Sequence, residues 1–278
     1  MSAPFPRDGA GRNGETMSQP RTALVTGAAR GIGAAAVRRL ADTGWNVVAL
    51  DRAEDDPSVP YPLGTRKQLA ELAAPYQGAV HDVVADVRDL ARLTEAVALA
   101  EERFGGLDAA VAAAALMAGG APLWESDDTE WDALFSVGVQ GVANLARAAI
   151  PALLRRPEPR HGRFVALASA AAHNGLWHLA GYNAAKHAVV GLVKGLATDL
   201  RGTGICATAV SPGSTRTDML TATAALYDLT DVEEFAKHQL VGRLLEPDEI
   251  AATIAFLCSP DSSAITGSVI HADGGFTT

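Results

Sequence analysis

The sequence predicts a single α/β domain built on a doubly wound parallel sheet. From Thr22 to the end of the chain, short apolar runs alternate with amphipathic stretches, and most of the apolar runs are continuous. Strands that are apolar on both sides are typical of a parallel sheet whose two faces are covered by helices. The 278 residues contain no internal repeat and no linker, so we expect residues 21–278 to form one domain.

Seven apolar runs are predicted to be buried strands, and the amphipathic stretches between them are predicted to be helices. The strands are expected at Thr22–Thr26, Asn46–Leu50, Ala79–Ala85, Leu107–Ala112, Arg163–Ala168, Ile205–Val210 and Ser268–His271. The helices are expected at Ile32–Leu40, Leu90–Phe104, Trp131–Leu154, Tyr182–Leu200 and Pro247–Leu257.

An insertion with three prolines, Ala53–Gly64, interrupts this alternation after the second strand. Thr65 and Gln68 follow it with the spacing of a capping box, which predicts a short helix. A long loop in a compact domain is often functional, although a tolerated surface insertion is an equally good interpretation.

Composition excludes several classes of protein. The net charge of −9 argues against nucleic acid as a partner, because phosphates require a basic surface. Cys206 and Cys258 both lie in apolar runs, which favours buried free thiols over a disulfide. The histidines are scattered, so no metal site is expected. Residues 1–20 are expected to be a disordered tail without a secretory signal. No apolar run is predicted to span a membrane. A cytoplasmic location is therefore the default expectation.

A glycine-rich turn between the first strand and the first helix predicts a dinucleotide site of the Rossmann type. Glycine permits positive φ in a tight turn and lets the backbone approach a pyrophosphate at the helix N-terminus. The residues expected to contact the cofactor here are Gly27, Arg30, Gly31, Ile32 and Gly33.

Carboxylates at the ends of the next two strands bear on the choice of cofactor. Asp51 can accept hydrogen bonds from ribose hydroxyls and would repel a 2′-phosphate, which favours NAD over NADP. Arg30 and Arg52 count against this preference, because either could pair with that phosphate. Asp86, followed by Val87, is expected either at the adenine edge or as a helix cap.

Ser169, Tyr182 and Lys186 form the candidate catalytic cluster. Tyr182 and Lys186 are four residues apart and therefore share a helix face. A nearby ammonium group favours the ionised phenol and would lower its pKa. Ser169 is expected at a strand end thirteen residues before Tyr182. Together these residues suggest a tyrosine acid/base that works beside a bound dinucleotide.

With these motifs, the chain resembles the short-chain dehydrogenase/reductase family over about residues 20–278. The resemblance implies that Tyr182 exchanges a proton with the substrate oxygen, that Ser169 orients this oxygen, and that Lys186 also binds the nicotinamide ribose. It implies further cofactor contacts from Pro212, Gly213, Thr215 and Thr217. It also implies a homotetramer paired through the helices around Trp131–Leu154 and Tyr182–Leu200.

Two positions depart from the family pattern. Ala112–Ala115 replaces a run rich in asparagine, so the side-chain amides that brace this region are missing. Gly138 stands where the family has an asparagine that helps to hold a relay water.

The insertion also resembles that of the mycofactocin-coupled subgroup, through Tyr61–Thr65 together with Ser211–Thr215. That resemblance implies a tightly held NAD and a peptide-derived redox partner. Apolar side chains in Met219–Leu240, where the family keeps its substrate lid, favour a small apolar alcohol or ketone, although they could equally form the lid's own core.

The leading hypothesis is therefore an NAD-dependent alcohol dehydrogenase or carbonyl reductase. A 3-oxoacyl carrier-protein reductase is the alternative enzyme, but Asp51 and the acidic charge balance argue against it. A non-catalytic dinucleotide sensor or structural oligomer is the alternative of another class. Gly138 favours that alternative, and the intact catalytic cluster argues against it.

Overall fold

The computed structural model describes residues 20–277, so nearly all of the predicted N-terminal tail lies outside the described residues. Seven parallel strands form one sheet in the order β3-β2-β1-β4-β5-β6-β7. The strands are β1 (Thr22–Thr26), β2 (Asn46–Asp51), β3 (Val80–Val84), β4 (Ala109–Ala112), β5 (Arg163–Leu167), β6 (Cys206–Pro212) and β7 (Val269–Ala272). All seven lie within one or two residues of the predicted bounds, which confirms the strand prediction.

Helices cover both faces of the sheet, as the apolar strands require. They are α1 (Gly31–Asp42), α2 (Arg66–Ala73), α3 (Leu90–Phe104), α4 (Asp128–Phe135), α5 (Gly141–Arg155), α6 (Ala180–Asp199), α7 (Asp218–Leu226) and α8 (Pro247–Cys258). Side chains alternate along each strand: Leu24 packs with α3, α5 and α6, whereas Val25 packs with α1, α2 and α8 on the opposite face. The predicted doubly wound architecture is therefore confirmed.

One helical region differs from the prediction, and another confirms it. The helix expected at Trp131–Leu154 begins earlier and is divided into α4 and α5 by a π-helical turn, Ser136–Gln140. The short helix after the insertion is present as α2: Gln68 N donates to Thr65 Oγ1 at 3.2 Å, and Thr65 N donates to Gln68 Oε1 at 2.9 Å.

The stretch Asp128–Arg155 is long and apolar enough to cross a membrane, which the sequence analysis did not anticipate. However, 61 % of its most apolar window is buried inside the fold, as expected of a core helix.

Cys206 and Cys258 are buried free thiols, as predicted. Among residues 20–277, no cluster of histidine, cysteine, aspartate and glutamate could hold a metal ion.

The strand order reverses between β1 and β4, so the loops after these two strands diverge to opposite sides of the sheet. Ligands of open α/β sheets bind in the crevice at such a point, beyond the carboxyl ends of the strands. The glycine-rich turn follows β1, and the Ala113–Met117 loop follows β4. The fold therefore places both at the same crevice.

Candidate active site

A cavity of about 880 Å³ lies over the carboxyl ends of the strands. Every residue that the sequence assigned to cofactor binding or catalysis lines it. These residues are Gly27, Arg30, Gly31, Ile32, Gly33, Asp51, Asp86, Val87, Ser169, Tyr182, Lys186, Pro212, Gly213, Thr215 and Thr217. Residues from β1 through α7 thus converge on one volume large enough for a dinucleotide and a small substrate.

The glycine-rich turn has a shape that no side chain would permit. Gly27 has φ +68°, and a Cβ there would lie 2.7 Å from the backbone of Ala114. A Cβ at Gly33 would lie 2.0 Å from the carbonyl oxygen of Gly27. The turn leads into α1, whose first three residues line the cavity. This bare helix N-terminus fits a pyrophosphate group.

Asp51 is held at the end of β2 by two backbone amides. Its Oδ2 accepts from Ala29 N and its Oδ1 accepts from Ala53 N, each at 2.9 Å. Gly64, at the end of the insertion, packs so closely that a Cβ there would lie 3.3 Å from Asp51 Oδ1. The carboxylate is therefore fixed at the cavity wall, in a position that suits a ribose.

Both arginines that could have favoured NADP are paired with carboxylates. Arg30 Nη1 lies 3.1 Å from Asp218 Oδ2. Arg52 contacts Glu54, Asp56 and Asp86. The sequence analysis missed Asp56 and its contacts, because they depend on how the insertion folds back.

Asp86 is bound to Arg88, another residue that the sequence analysis missed. Arg88 Nε lies 3.0 Å from each carboxylate oxygen of Asp86, and Arg88 N donates to Oδ1 at 2.8 Å. Burial raises the pKa of Asp86, but the hydrogen bonds from Arg88 outweigh it and lower the pKa overall. The cap of α3 is Asp89, so the interpretation of Asp86 as a helix cap is wrong.

The catalytic candidates meet where β5 and α6 adjoin the cavity. Tyr182 lies in the first turn of α6 and Lys186 one turn later, with the Lys186 Nζ 5.7 Å from the centre of the Tyr182 ring. Ser169 follows β5; its Oγ accepts from Ala171 N at 3.1 Å, and its hydroxyl also hydrogen-bonds with Tyr182. Lys186 is buried and donates to the carbonyl oxygen of Leu167 at 2.9 Å.

Burial dominates the protonation of this cluster. It raises the pKa of Tyr182 to about 12, with the hydrogen bond from Ser169 acting in the opposite direction. Burial also lowers the pKa of Lys186 to about 8. The prediction that Lys186 lowers the pKa of Tyr182 is therefore not met in this structure, because burial raises that pKa.

Other groups brace the loop after β4 in place of the missing asparagines. The hydroxyl of Thr26 accepts from Ala113 N at 3.2 Å and Ala114 N at 3.4 Å. The hydroxyl of Tyr61, in the insertion, accepts from Met117 N at 2.8 Å.

Gly138 leaves open space, since a Cβ there would meet no atom within 4 Å.

The substrate side of the cavity has an aromatic rim. Large apolar side chains of the Met219–Leu240 segment line it, namely Met219, Leu220, Tyr227, Leu229 and Phe235, whereas Leu226 does not. Trp177 also lines it and is 69 % exposed; its ring stacks on Tyr227 at 5.9 Å, and the Tyr227 hydroxyl donates to the Trp177 carbonyl oxygen at 2.6 Å. This hydrogen bond ties the α7 region to the loop that precedes α6.

Comparison with known proteins agrees with this geometry. The family model described as enoyl-(acyl carrier protein) reductase matches residues 27–277. The short-chain reductase protein NovJ of Streptomyces niveus is 36 % identical over 262 residues, which cover 93 % of this chain and 95 % of that protein.

Two solved structures have the same fold. A short-chain dehydrogenase from Mycobacterium paratuberculosis bound to NAD has a TM-score of 0.84 and 30 % identity, covering 92 % of this chain and 97 % of that one. Carveol dehydrogenase from Mycobacterium avium in complex with NAD has a TM-score of 0.86 and 28 % identity, with the same coverage. The shared fold, the matched family model and the sequence identity along nearly the whole chain lead to one conclusion: this chain belongs to the short-chain dehydrogenase/reductase family.

Proposed function

We propose that the protein is an NAD-dependent oxidoreductase that interconverts an apolar alcohol and its ketone. The observation that carries this proposal is the convergence of Ser169, Tyr182 and Lys186 with the glycine-rich turn and Asp51 on one cavity. NAD, when bound, supplies the hydride chemistry. The turn fits the pyrophosphate, and Asp51 fits an unphosphorylated ribose.

The chain's own residues supply the proton chemistry. Tyr182 gives a proton to the substrate oxygen in reduction and takes it back in oxidation. Ser169, which hydrogen-bonds with Tyr182, directs the substrate oxygen to the phenol. Lys186, whose pKa is lowered by burial to about 8, lies one turn along α6 and exchanges a proton near neutral pH. The aromatic rim favours a substrate with an apolar body.

The experiment that tests this function is a substrate panel. Purified protein is incubated with primary, secondary and cyclic apolar alcohols and NAD, with and without an artificial electron acceptor, and NADH formation or acceptor reduction is recorded. We expect turnover of apolar secondary alcohols. Absence of turnover on every alcohol and on every matching ketone with NADH would contradict the proposal.

A tightly held cofactor is the finer proposal, and it concerns the insertion. The insertion follows β2 and is bonded to the loop after β4, where Met117 N donates to the Tyr61 hydroxyl. Val59 is buried, and Tyr61 and Leu63 pack against the same hydrophobic core. Asp56, Leu63 and Gly64 of the insertion line the cavity, so the anchored segment forms part of the wall of the proposed cofactor site. It would slow release of NAD, and an external acceptor of the mycofactocin kind would then reoxidise the cofactor in place.

We expect freshly purified protein to release NAD or NADH when it is denatured, and bound nucleotide to exchange slowly with labelled NAD. Tyr61→Phe, which removes the hydroxyl that accepts from Met117 N, should speed this exchange by about three- to tenfold. Tyr76→Phe is the matched control, because its hydroxyl bonds to Asp42 away from the cavity. Nucleotide-free protein with full turnover on added NAD would contradict tight holding.

A homotetramer is also proposed, with α6 at one interface. Gly191 and Gly195 on α6 are exposed, and a Cβ at either would meet no atom within 4 Å, so a second helix could approach closely. We expect light scattering at micromolar concentration to give the mass of four chains, and Gly195→Glu to reduce it. A monomer mass for the wild-type protein would contradict the proposal.

A 3-oxoacyl carrier-protein reductase is the second candidate, favoured by the similarity to a 3-ketoacyl-(acyl-carrier-protein) reductase from Brucella melitensis, which has a TM-score of 0.80 and 30 % identity. It would reduce an acyl thioester substrate with NADPH. Activity on an acetoacetyl thioester that exceeds activity on every simple ketone would favour this candidate. A sensor without catalytic activity would bind NAD and turn over neither class.

A further inference from the structure

We propose that Asp56, supplied by the insertion, is a specificity-determining residue that makes the site reject NADP by holding Arg52 and Arg88 away from a 2′-phosphate. This inference rests on the proposed NAD site but assigns a new residue to it. Asp56 is 5 % exposed and lines the cavity wall together with both arginines.

Asp56 is fully engaged in polar contacts. Its Oδ2 contacts Arg52 Nη1 and lies 3.0 Å from Arg88 Nη2. Its Oδ1 accepts from Ser58 N at 3.0 Å and Ser58 Oγ at 2.5 Å. One buried carboxylate therefore binds two guanidinium groups and is itself held in place by the turn of the insertion. A buried carboxylate is retained in a fold when such partners compensate its lost hydration.

The local charge balance is negative where the adenosine ribose would lie. Arg52 and Arg88 are contacted by three carboxylates, those of Glu54, Asp56 and Asp86. Asp51 lies directly before Arg52 in the chain and adds a fourth negative group to the wall.

Arginine binds phosphate through paired hydrogen bonds, and it is the residue that most readily accepts a 2′-phosphate. Here two nitrogen atoms of each arginine are already paired with carboxylates: Nε and Nη1 of Arg52, and Nε and Nη2 of Arg88. A 2′-phosphate would have to displace one of them or remain beside an excess of negative charge. Both alternatives lower the affinity for NADP and leave the affinity for NAD unchanged. The selectivity therefore comes from interactions that disfavour NADP, not from additional contacts that favour NAD.

Asp56→Asn is the informative variant. The amide has the shape of the carboxylate and its oxygen can still accept from Ser58, but it carries no charge to hold the arginines. Glu54→Gln is the matched control, since it removes the same charge from a partner of Arg52. The Glu54 side chain is 68 % exposed, where an ion pair contributes little.

The measurement is a competition at equilibrium. Full-length protein is incubated with equal concentrations of NAD and NADP until the bound ratio stops changing. Unbound nucleotide is then removed, the protein is denatured, and the released NAD and NADP are quantified. Asp56→Asn should raise the ratio of bound NADP to bound NAD at least about tenfold, whereas Glu54→Gln should change it less than about twofold. Adding Arg52→Gln to Asp56→Asn should remove most of the gain.

An unchanged ratio in Asp56→Asn that still binds NAD would overturn the proposal, because a purely structural role weakens both nucleotides together. An equal rise in Glu54→Gln would also overturn it. If Asp56→Asn does not fold, the single variant Arg52→Gln tests the proposal instead. We expect it to leave the ratio of bound NADP to bound NAD unchanged. A threefold loss of bound NADP would show that Arg52 is already free to bind the phosphate, which would overturn the proposal. Wild-type protein that binds neither nucleotide would refute the proposed function itself.

Discussion

Replacement of Tyr182 by phenylalanine is expected to lower turnover by roughly two to four orders of magnitude, because it removes the proposed proton-transferring hydroxyl. The ring is half-buried beside Lys186, and phenylalanine fills the same volume, so the fold should be retained. Alcohol oxidation and ketone reduction should fall together, because the same proton is involved in both directions.

The measurement is turnover on the best substrate of the panel, accompanied by the melting temperature and the amount of bound nucleotide. Tyr76→Phe serves as the matched control, because it also removes a single tyrosine hydroxyl, here one bonded to Asp42 at 2.9 Å. We expect normal turnover in the control. A folded Tyr182→Phe variant with near-normal turnover would refute the catalytic role of Tyr182.

Lys186→Met is expected to inactivate the protein by about two orders of magnitude or more while making it more stable at pH 7. Lys186 is 4 % exposed, and burial lowers its pKa from 10.5 to about 8. The folded protein therefore binds this proton less tightly than the unfolded chain does. Keeping the Lys186 ammonium charged in the folded protein costs a few kcal/mol. Its hydrogen bond to Leu167 O offsets only about 1 kcal/mol of this cost. Replacing Lys186 by methionine should therefore add roughly 1–2 kcal/mol to the free energy of unfolding.

The pH dependence identifies the cause. Below pH 8, Lys186 is protonated in both the folded and the unfolded state, so the buried ammonium destabilises the folded protein to its full extent. Between pH 8 and 10.5 the unfolded chain binds more protons than the folded protein, so wild-type stability rises with pH relative to the variant. The advantage of Lys186→Met should therefore shrink over this range.

Denaturant unfolding at pH 7, 9 and 10.5 measures this difference between the two proteins, since all other groups titrate alike in both. Lys67→Met, on α2, is the control and should change neither stability nor activity appreciably, because its side chain is 82 % exposed. A Lys186→Met variant that is less stable than wild type at pH 7 would show that the buried ammonium stabilises the fold.

Local patterns in the sequence were enough to predict the sheet and the candidate catalytic and cofactor-binding residues of the cavity wall. Apolar runs identified all seven strands. The five inner strands are almost entirely buried, as predicted, because helices cover both of their faces. The edge strands β3 and β7 are mostly part-exposed and contain polar residues, so the prediction that they are buried is wrong. The four-residue spacing of Tyr182 and Lys186 is a property of one helix and needs no knowledge of the rest of the chain. The π-helical turn at Ser136–Gln140 was not predicted, because its hydrogen bonding has no characteristic apolar period.

The sequence by itself therefore determined the fold class, the glycine-rich turn and the catalytic and main cofactor-binding candidates that meet at the cavity. Only the tertiary structure decided how those residues are charged and held. The bond from Met117 N to the Tyr61 hydroxyl joins positions 56 residues apart, and Asp56 meets Arg88 only because the insertion folds back toward the loop after β3. The protonation of Tyr182 and Lys186 is governed by burial, which depends on every element packed around them. Periodicity and spacing are local properties, whereas burial and ion pairing between distant segments arise only when the chain is folded.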